Sequence, residues 1–263
     1  MEYKLILYKK EGGVATIMLN RPRVLNALNA ELIEEILDAV KKTAADQEVK
    51  VLILTGAGRA FCFGADISAF RQAQMPSATN SPLALLAKSQ EIIRRLVNLP
   101  LPTIAALNGF ATGLGLDLAL ACDLRIAAER AKLGEAFVAM GLVPDGGGTF
   151  FLPRQVGLAK AAEMLYTGEP LSASEAERIG LVNRVVPIQD LEKSTQELAH
   201  KLARGPSLAI RLAKKALWTN LQGDLDAALK MEAETQKICL QSEDHREAVA
   251  AYLEKRQPVF SGK

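Results

Sequence analysis

Residues 103–128 read Thr103-Ile-Ala-Ala-Leu-Asn-Gly-Phe-Ala-Thr-Gly-Leu-Gly-Leu-Asp-Leu-Ala-Leu-Ala-Cys-Asp-Leu-Arg-Ile-Ala-Ala128, and this stretch decides the fold class. The uncharged run from Leu96 to Leu116 is long enough to cross a membrane. Asn98, Pro100, Pro102, Asn108 and three glycines interrupt it, which no simple span needs. A buried strand at Thr103–Leu107, a glycine-rich turn, a buried helix over Gly113–Ala121 and a second strand at Leu124–Ala128 account for the pattern better. Strand, helix and strand in that order make a mixed α/β body.

The flanks agree. Tyr3–Tyr8 and Val14–Leu19 are apolar-rich runs separated by Glu11-Gly12-Gly13, which reads as a β-hairpin. Asn29 is positioned to cap a helix whose apolar residues Leu32, Ile33, Ile36, Leu37 and Val40 follow the 3.6-residue period. Lys50–Thr55 is a short buried strand running into Gly56-Ala-Gly58-Arg59, and residues 82–97 return to helix. After Pro153 the pattern predicts helices at 158–166, 173–179, 190–203, 206–219, 224–241 and 243–255, with a strand at Leu181–Val186. The expected organisation is a core over 1–200 that carries the active site and a C-terminal helical region over 201–263. Gln72–Leu83, with Met75-Pro-Ser-Ala-Thr-Asn-Ser-Pro82, is the expected mobile loop.

Composition narrows the function. The 263 residues carry 32 Lys and Arg against 30 Asp and Glu, a net charge of +2, which lacks the basic surplus of a nucleic-acid or membrane-surface binder. Cys62, Cys122 and Cys239 have neither disulfide-framework nor zinc-site spacing. The first ten residues lack a signal-peptide pattern, so the expectation is a reduced, soluble, cytoplasmic protein. Only His200 and His245 are available, both in the helical tail, which disfavours a histidine triad or metal site. Neither a nucleophile elbow nor a phosphate-binding P-loop is present. Gly56-Ala-Gly58 and Gly113-Leu-Gly115 are incomplete as dinucleotide fingerprints.

Three segments, Arg59-Ala-Phe-Cys-Phe-Gly-Ala-Asp66, Asn108-Gly-Phe-Ala-Thr-Gly-Leu-Gly-Leu-Asp117 and Gly141-Leu-Val-Pro-Asp-Gly-Gly-Gly-Thr149, together resemble the crotonase (enoyl-CoA hydratase/isomerase) superfamily. Leu19-Asn-Arg-Pro22 with Leu25-Asn-Ala-Leu28, Tyr166-Thr-Gly168, Ala176–Val186 and the tail from Glu254 to Phe260 extend the match over essentially the whole chain. The motif pattern comes nearest to the ring-opening isomerases of phenylacetate breakdown. The resemblance implies a spiral of ββα units, a helical C-terminal region for trimer assembly, and an acyl-CoA substrate, with coenzyme A entering as part of that substrate and no separate cofactor. Self-association as a trimer or dimer of trimers is implied, with no nucleic-acid or membrane partner. It also implies an oxyanion hole formed by the backbone N–H groups of Ala65 and Leu114. Gly64 and Gly113 precede these amides, and glycine lets a backbone approach a ligand closely.

The acids bear on the reaction. Two-acid hydratases of the family place one Glu on the helix after the second oxyanion glycine and another about twenty residues on. Here Asp117 stands at the first place and Phe137 at the second. Hydration needs an acid and a base, whereas moving a double bond needs one group that takes a proton and returns it. The missing second carboxylate therefore favours an isomerase, with Asp145 as the proton-transfer residue and Asp117 as a second acid. A 2-enoyl-CoA hydratase pairing Asp117 with Asp145, and a catalytically poor RNA-binding or scaffold member, are the alternatives. Asp145 has a competing role as N-cap of the following helix, and Asp117 as an acid complementing a helix dipole. Glu135, two residues before Phe137, is a weaker candidate than either aspartate, one that a continued strand would place on the same face as Phe137. Leu25, Ala27, Ala60, Phe63, Gly64, Asp66, Ile67, Gly113 and Phe137 are the implied substrate-binding positions, joined by Lys255 and Phe260 from the same or a neighbouring subunit.

Overall fold

The computed structural model describes residues 2–68 and 82–263. The expected mobile loop therefore lies, over 72–81, outside the described residues. In chain order the elements are β1 Ile6–Glu11, β2 Val14–Leu19, α1 Ala30–Ala45, β3 Val51–Gly56, β4 Ala60–Cys62, α2 Pro82–Asn98, β5 Thr103–Leu107, β6 Phe110–Thr112, α3 Leu114–Leu120, β7 Leu124–Ala128 and β8 Lys132–Gly134. They continue with α4 Gly148–Val156, α5 Leu158–Thr167, β9 Leu171–Ser172, α6 Ala173–Arg178, β10 Arg184–Val186, α7 Leu191–Ala203, α8 Ser207–Asn220, α9 Leu225–Leu240 and α10 Glu243–Glu254.

The strands divide between two sheets, ordered β1-β2-β3-β5-β7-β10 and β4-β6-β8-β9. Each of the successive pairs β3/β4, β5/β6 and β7/β8 gives its first strand to the larger sheet and its second to the smaller, which is the spiral the resemblance implied. β1 and β2 form the expected hairpin in antiparallel register, although β1 begins at Ile6 rather than Tyr3. β2, β3, β5, β7 and β10 then pair in parallel.

The apolar runs of β3 and β5 follow from burial on both sides of the sheet. Leu52, Leu54, Ala105 and Leu107 face the core beneath α1, α2 and α3, while Val51, Ile53, Ile104 and Ala106 face the layer holding Leu191 and Ala199 of α7. α1 begins as expected, with Asn29 Oδ1 accepting from the Leu32 N–H at 2.9 Å. Among the described residues no helix is long and apolar enough to cross a membrane; the uncharged run resolves into β5, β6 and the start of α3.

The last helices are attached more loosely. Lys214 on α8 reaches Asp123 at 2.8 Å and the Leu101 carbonyl at 3.1 Å, and Trp218 packs edge-on against Phe151 of α4. α9 has no buried residue, and α9 and α10 leave Leu225, Leu229, Tyr252 and Leu253 exposed.

Candidate active site

β4, β6 and β8 are each three residues long, and each ends at one wall of the candidate site. After β4, Gly64 takes φ +91°, and Leu28 and Ala65 form a parallel bridge. The Leu28 N–H donates to the Gly64 carbonyl at 2.8 Å, and the Asp66 N–H donates to the Leu28 carbonyl at 2.9 Å. In that pattern the bonds to Leu28 come from the residues on either side of Ala65, so the Ala65 N–H points away, with no acceptor among the described residues. After β6, Gly113 at φ +53° opens α3, and the Leu114 N–H is the first of the unpaired donors at its N-terminus. The two amides are neighbours: a Cβ on Gly64 would lie 3.8 Å from the Leu114 nitrogen and 2.9 Å from the Thr112 carbonyl oxygen. Leu114 sends its side chain into the core, where Cδ1 abuts Gly146. Glycine is required at 115, where a Cβ would fall 2.1 Å from the Cys62 carbonyl oxygen.

The Leu25–Leu28 loop backs the first amide. Leu25 and Asn26 both lie in the left-handed region, at φ +55° and +58°, a strained conformation for leucine. Asn26 holds it in place: its buried side chain accepts from the Arg21 N–H at 2.8 Å and donates to the carbonyls of Ala57 and Ala60 at 3.0 and 2.8 Å. Asn108 donates to the carbonyls of Gly58 and Ala60, both at 3.0 Å, so two asparagines fix the turn that carries Ala60. Arg21 pairs with Asp66 at 3.0 Å and also donates to the Ala27 carbonyl. Asp66, one of the implied substrate contacts, is thus held in a part-buried ion pair; burial raises its carboxyl, but the Ser68 hydroxyl and then Arg21 outweigh that and leave its pKa lowered. Phe63 and Ile67 are exposed beside it, Phe63 edge-on to Phe110 at 5.7 Å.

Three carboxyls form the other wall. Asp117, in the first turn of α3, and Glu135, just after β8, are fully buried, and Asp145 is half-buried in the loop before α4. The Gly146 N–H donates to Asp117 Oδ2 at 3.0 Å, which ties the loop to α3. From α2, Gln90 Nε2 donates to the Asp145 carbonyl at 3.0 Å. Asp117 Oδ1, Asp145 Oδ1 and both Glu135 oxygens have no hydrogen-bond partner among the described residues. Burial pushes the Asp117 carboxyl up to about 8; the Gly146 N–H pulls it down and the Asp145 charge raises it. Burial, then the Asp117 and Asp145 charges, push Glu135 further, to about 10, and burial also raises Asp145. The cluster does not carry three negative charges at neutral pH.

Two alternatives fall away here. Asp145 does not cap α4: the N-cap is Gly147, with no side-chain cap bond. Glu135 and Phe137 do not share a strand face, because β8 ends at Gly134 and Phe137 is already helical at φ −59°. The turn sends Glu135 inward and lays the Phe137 ring over Gly113, 3.6 Å from where a Cβ would stand. The structure thus brings together Leu25, Ala27, Ala60, Gly64, Ala65, Gly113, Leu114, Asp117, Phe137 and Asp145 around the ends of the short strands. It leaves Lys255 and Phe260 elsewhere: Lys255 is exposed at the C-terminus of α10, and the following tail folds back so that the Ser261 N–H reaches Asp244 Oδ1 at 2.7 Å.

Residues 9–263 match the family described as Enoyl-CoA hydratase/isomerase. A probable enoyl-CoA hydratase of Rhodobacter capsulatus is 43% identical over 263 residues, covering all of both chains. The 1,2-epoxyphenylacetyl-CoA isomerase of Escherichia coli is 39% identical, with 99% of each chain covered. The crystal structure of an enoyl-CoA hydratase from Bacillus anthracis superposes with a TM-score of 0.93 at 38% identity, covering 99% of this chain and 100% of the other. With two neighbouring free amides, a glycine-lined turn beside each and a buried acid on the helix that the second amide opens, the chain belongs to the enoyl-CoA hydratase/isomerase family of the crotonase superfamily.

Proposed function

We propose that the protein shifts the double bond of an enoyl-CoA thioester, with Asp145 moving the proton. The thioester oxygen accepts from the N–H groups of Ala65 and Leu114. Two donors there stabilise the enolate more than the substrate, and one such donor is worth about 10²–10³ in rate. The Asp145 carboxylate takes a proton from C2 of a 3-enoyl thioester. The C2–H pair moves into the C1–C2 bond and negative charge collects on the thioester oxygen. Returning the proton to C4 draws the pair back and leaves the 2-enoyl isomer, with Asp145 again ionised.

The observation that carries this reading is the difference in access among the acids. Asp117 and Glu135 are fully buried, the Phe137 ring walls the mouth beside Gly113, and Asp145 alone is partly open. One accessible carboxyl suits a reaction that returns the proton it took. Hydration of a 2-enoyl thioester by Asp117 and Asp145 is the second reading. It is favoured by relatives named for that activity, among them a crotonyl-CoA hydratase of Syntrophomonas wolfei at 40% identity. Coenzyme A enters only as part of the substrate. The exposed apolar side chains of α8–α10, including Leu217, Leu229 and Leu253, support self-association through those helices, and Lys255 and Phe260 then meet CoA at a subunit boundary.

Offering 2-enoyl-CoA and 3-enoyl-CoA separately in deuterated water tests the proposal. The expected result is conversion of the 3-enoyl ester to its 2-enoyl isomer. Hydration of the 2-enoyl ester without any shift of the 3-enoyl ester assigns the protein to the second reading.

A further inference from the structure

Glu135 is the one acid of the cluster that neither reading of the function uses, and its surroundings are unusual. Its side chain is fully buried and neither oxygen has a hydrogen-bond partner among the described residues. A buried polar group in that state calls for an explanation. The explanation lies at Gly148, where a Cβ would meet Glu135 Oε1 and Asp117 Oδ1 at 2.9 Å each. Oxygens of two carboxyls from different elements therefore lie 2.9 Å from one point, near enough for one bridging water or a side-chain rotation to join them. Asp117 Oδ1 makes no hydrogen bond of full geometry, although the nearby Gly148 N–H draws the carboxyl's pKa down, while Oδ2 is occupied by the Gly146 N–H.

The charges reaching Glu135 are those of Asp117 on α3 and Asp145 on the loop before α4, and the uncharged Gly168 and Pro170 pack behind its segment. Both charges have the same sign as its own, so ionising Glu135 would add a buried charge opposed from two sides. Burial raises both carboxyls, but Asp117 has the Gly146 N–H to steady its charge where Glu135 has no donor, so Asp117 ionises first. A carboxyl that keeps its proton is a donor, and an acceptor without a full hydrogen bond stands beside it.

We propose that Glu135 is a positioning residue: it stays protonated, donates its O–H to Asp117 Oδ1 once Asp117 is ionised, and so holds the charge that Asp117 bears. No bond to substrate is involved; the hydrogen bond forms as Asp117 loses its proton and relaxes when the proton returns. Only the turnover test of this inference rests on the function proposed above, through the second reading, in which Asp117 shares the chemistry; the infrared test rests on neither reading.

Infrared difference spectra of the full chain without substrate test the protonation directly. At pH 9, between the values for Asp117 and Glu135, one buried carboxylic-acid carbonyl band is expected. It should vanish in Glu135→Gln and shift in Asp117→Asn, where an amide replaces the carboxylate acceptor. Absence of the band, its survival in Glu135→Gln, or an unshifted band in Asp117→Asn overturns the proposal. Turnover gives a second readout. Glu135→Gln keeps an N–H donor and should retain turnover within about threefold, whereas a folded Glu135→Leu should lose about tenfold or more, the value of a hydrogen bond to a charged group. Its pH midpoint should also rise, because the ionised form of Asp117 loses its donor. Equal turnover and equal midpoints in the two variants refute the supporting role. If the parent turns over neither enoyl ester, the reading of the function fails while the infrared result still decides this one.

Discussion

The two walls of the site are built by opposite means. On the Ala65–Leu114 side the functional groups are backbone amides, aligned by a parallel bridge, a helix start and glycines whose missing side chains let one backbone press on another. On the Asp117–Glu135–Asp145 side they are side chains, several of whose oxygens lack partners and all of whose pKa values are raised. A backbone donor carries no net charge and needs no particular side chain, so Leu114 offers its N–H while its side chain turns into the core. A buried carboxyl depends on its neighbours for its charge state. Substitutions on the amide wall should therefore register mainly as stability, and those on the acid wall as rate and pH dependence.

The largest expected effect is on the acid wall. Asp145→Asn removes the accessible carboxyl and should lower turnover by about 10²-fold or more, within the range of a lost general acid–base group. CoA-ester affinity, measured by calorimetry, should stay within about threefold, because the amides that hold the thioester are untouched. Unchanged turnover would remove Asp145 from the chemistry. The matching test of the amide wall is Gly115→Ala, whose Cβ would sit 2.1 Å from the Cys62 carbonyl oxygen. Backbone lies on both sides of that contact, so denaturant titration should show a loss of about 3 kcal/mol, the upper end for overpacking.

The same division explains what was legible in the sequence. β3, β5 and α1 could be read because each is long enough to show its period, and Asn29 marks its helix unambiguously. β4, β6, β8 and β9 are two or three residues long, too short for any alternation, so the whole smaller sheet was invisible to pattern reading. The positions of the amides were legible through the glycine motifs and the family resemblance. Glu135 was not, because its direction depends on where β8 stops. Three more residues of strand would have put it on one face with Phe137, whereas the turn after Gly134 buries it against Asp117. Arg21 and Asn26 were missed for another reason: their value lies in holding carbonyls and Asp66 in place, and no local pattern marks such a role.

Phe137 is where the two walls meet, and replacing it sharpens the choice of reaction. Phe137→Glu places a carboxyl beside Gly113, at the position of the second glutamate in two-acid hydratases. Hydration of 2-enoyl-CoA should rise relative to the 3-enoyl shift by about tenfold, a modest return for a second acid–base group. If the ratio measured for the two esters stays fixed, the ring is a wall and does not select the reaction.

The smallest expected effect concerns stability against pH. Asp117 ionises near pH 4 in an unfolded chain and near 8 in the folded protein. A raised folded pKa means that the folded state binds the extra proton, so its contribution is fully present below pH 4 and declines as pH rises toward 8. Glu135, raised further, continues the decline toward 10. Asp117→Asn removes the titration but keeps the shape. The variant should therefore gain on the parent steadily as pH increases from 4 to 8, the direction that a raised folded pKa requires. Denaturant titrations across that range should give a flatter profile for the variant. Parallel profiles would mean that Asp117 ionises in the folded protein as easily as in water, and the acid wall would then resemble the amide wall in carrying no stored charge penalty.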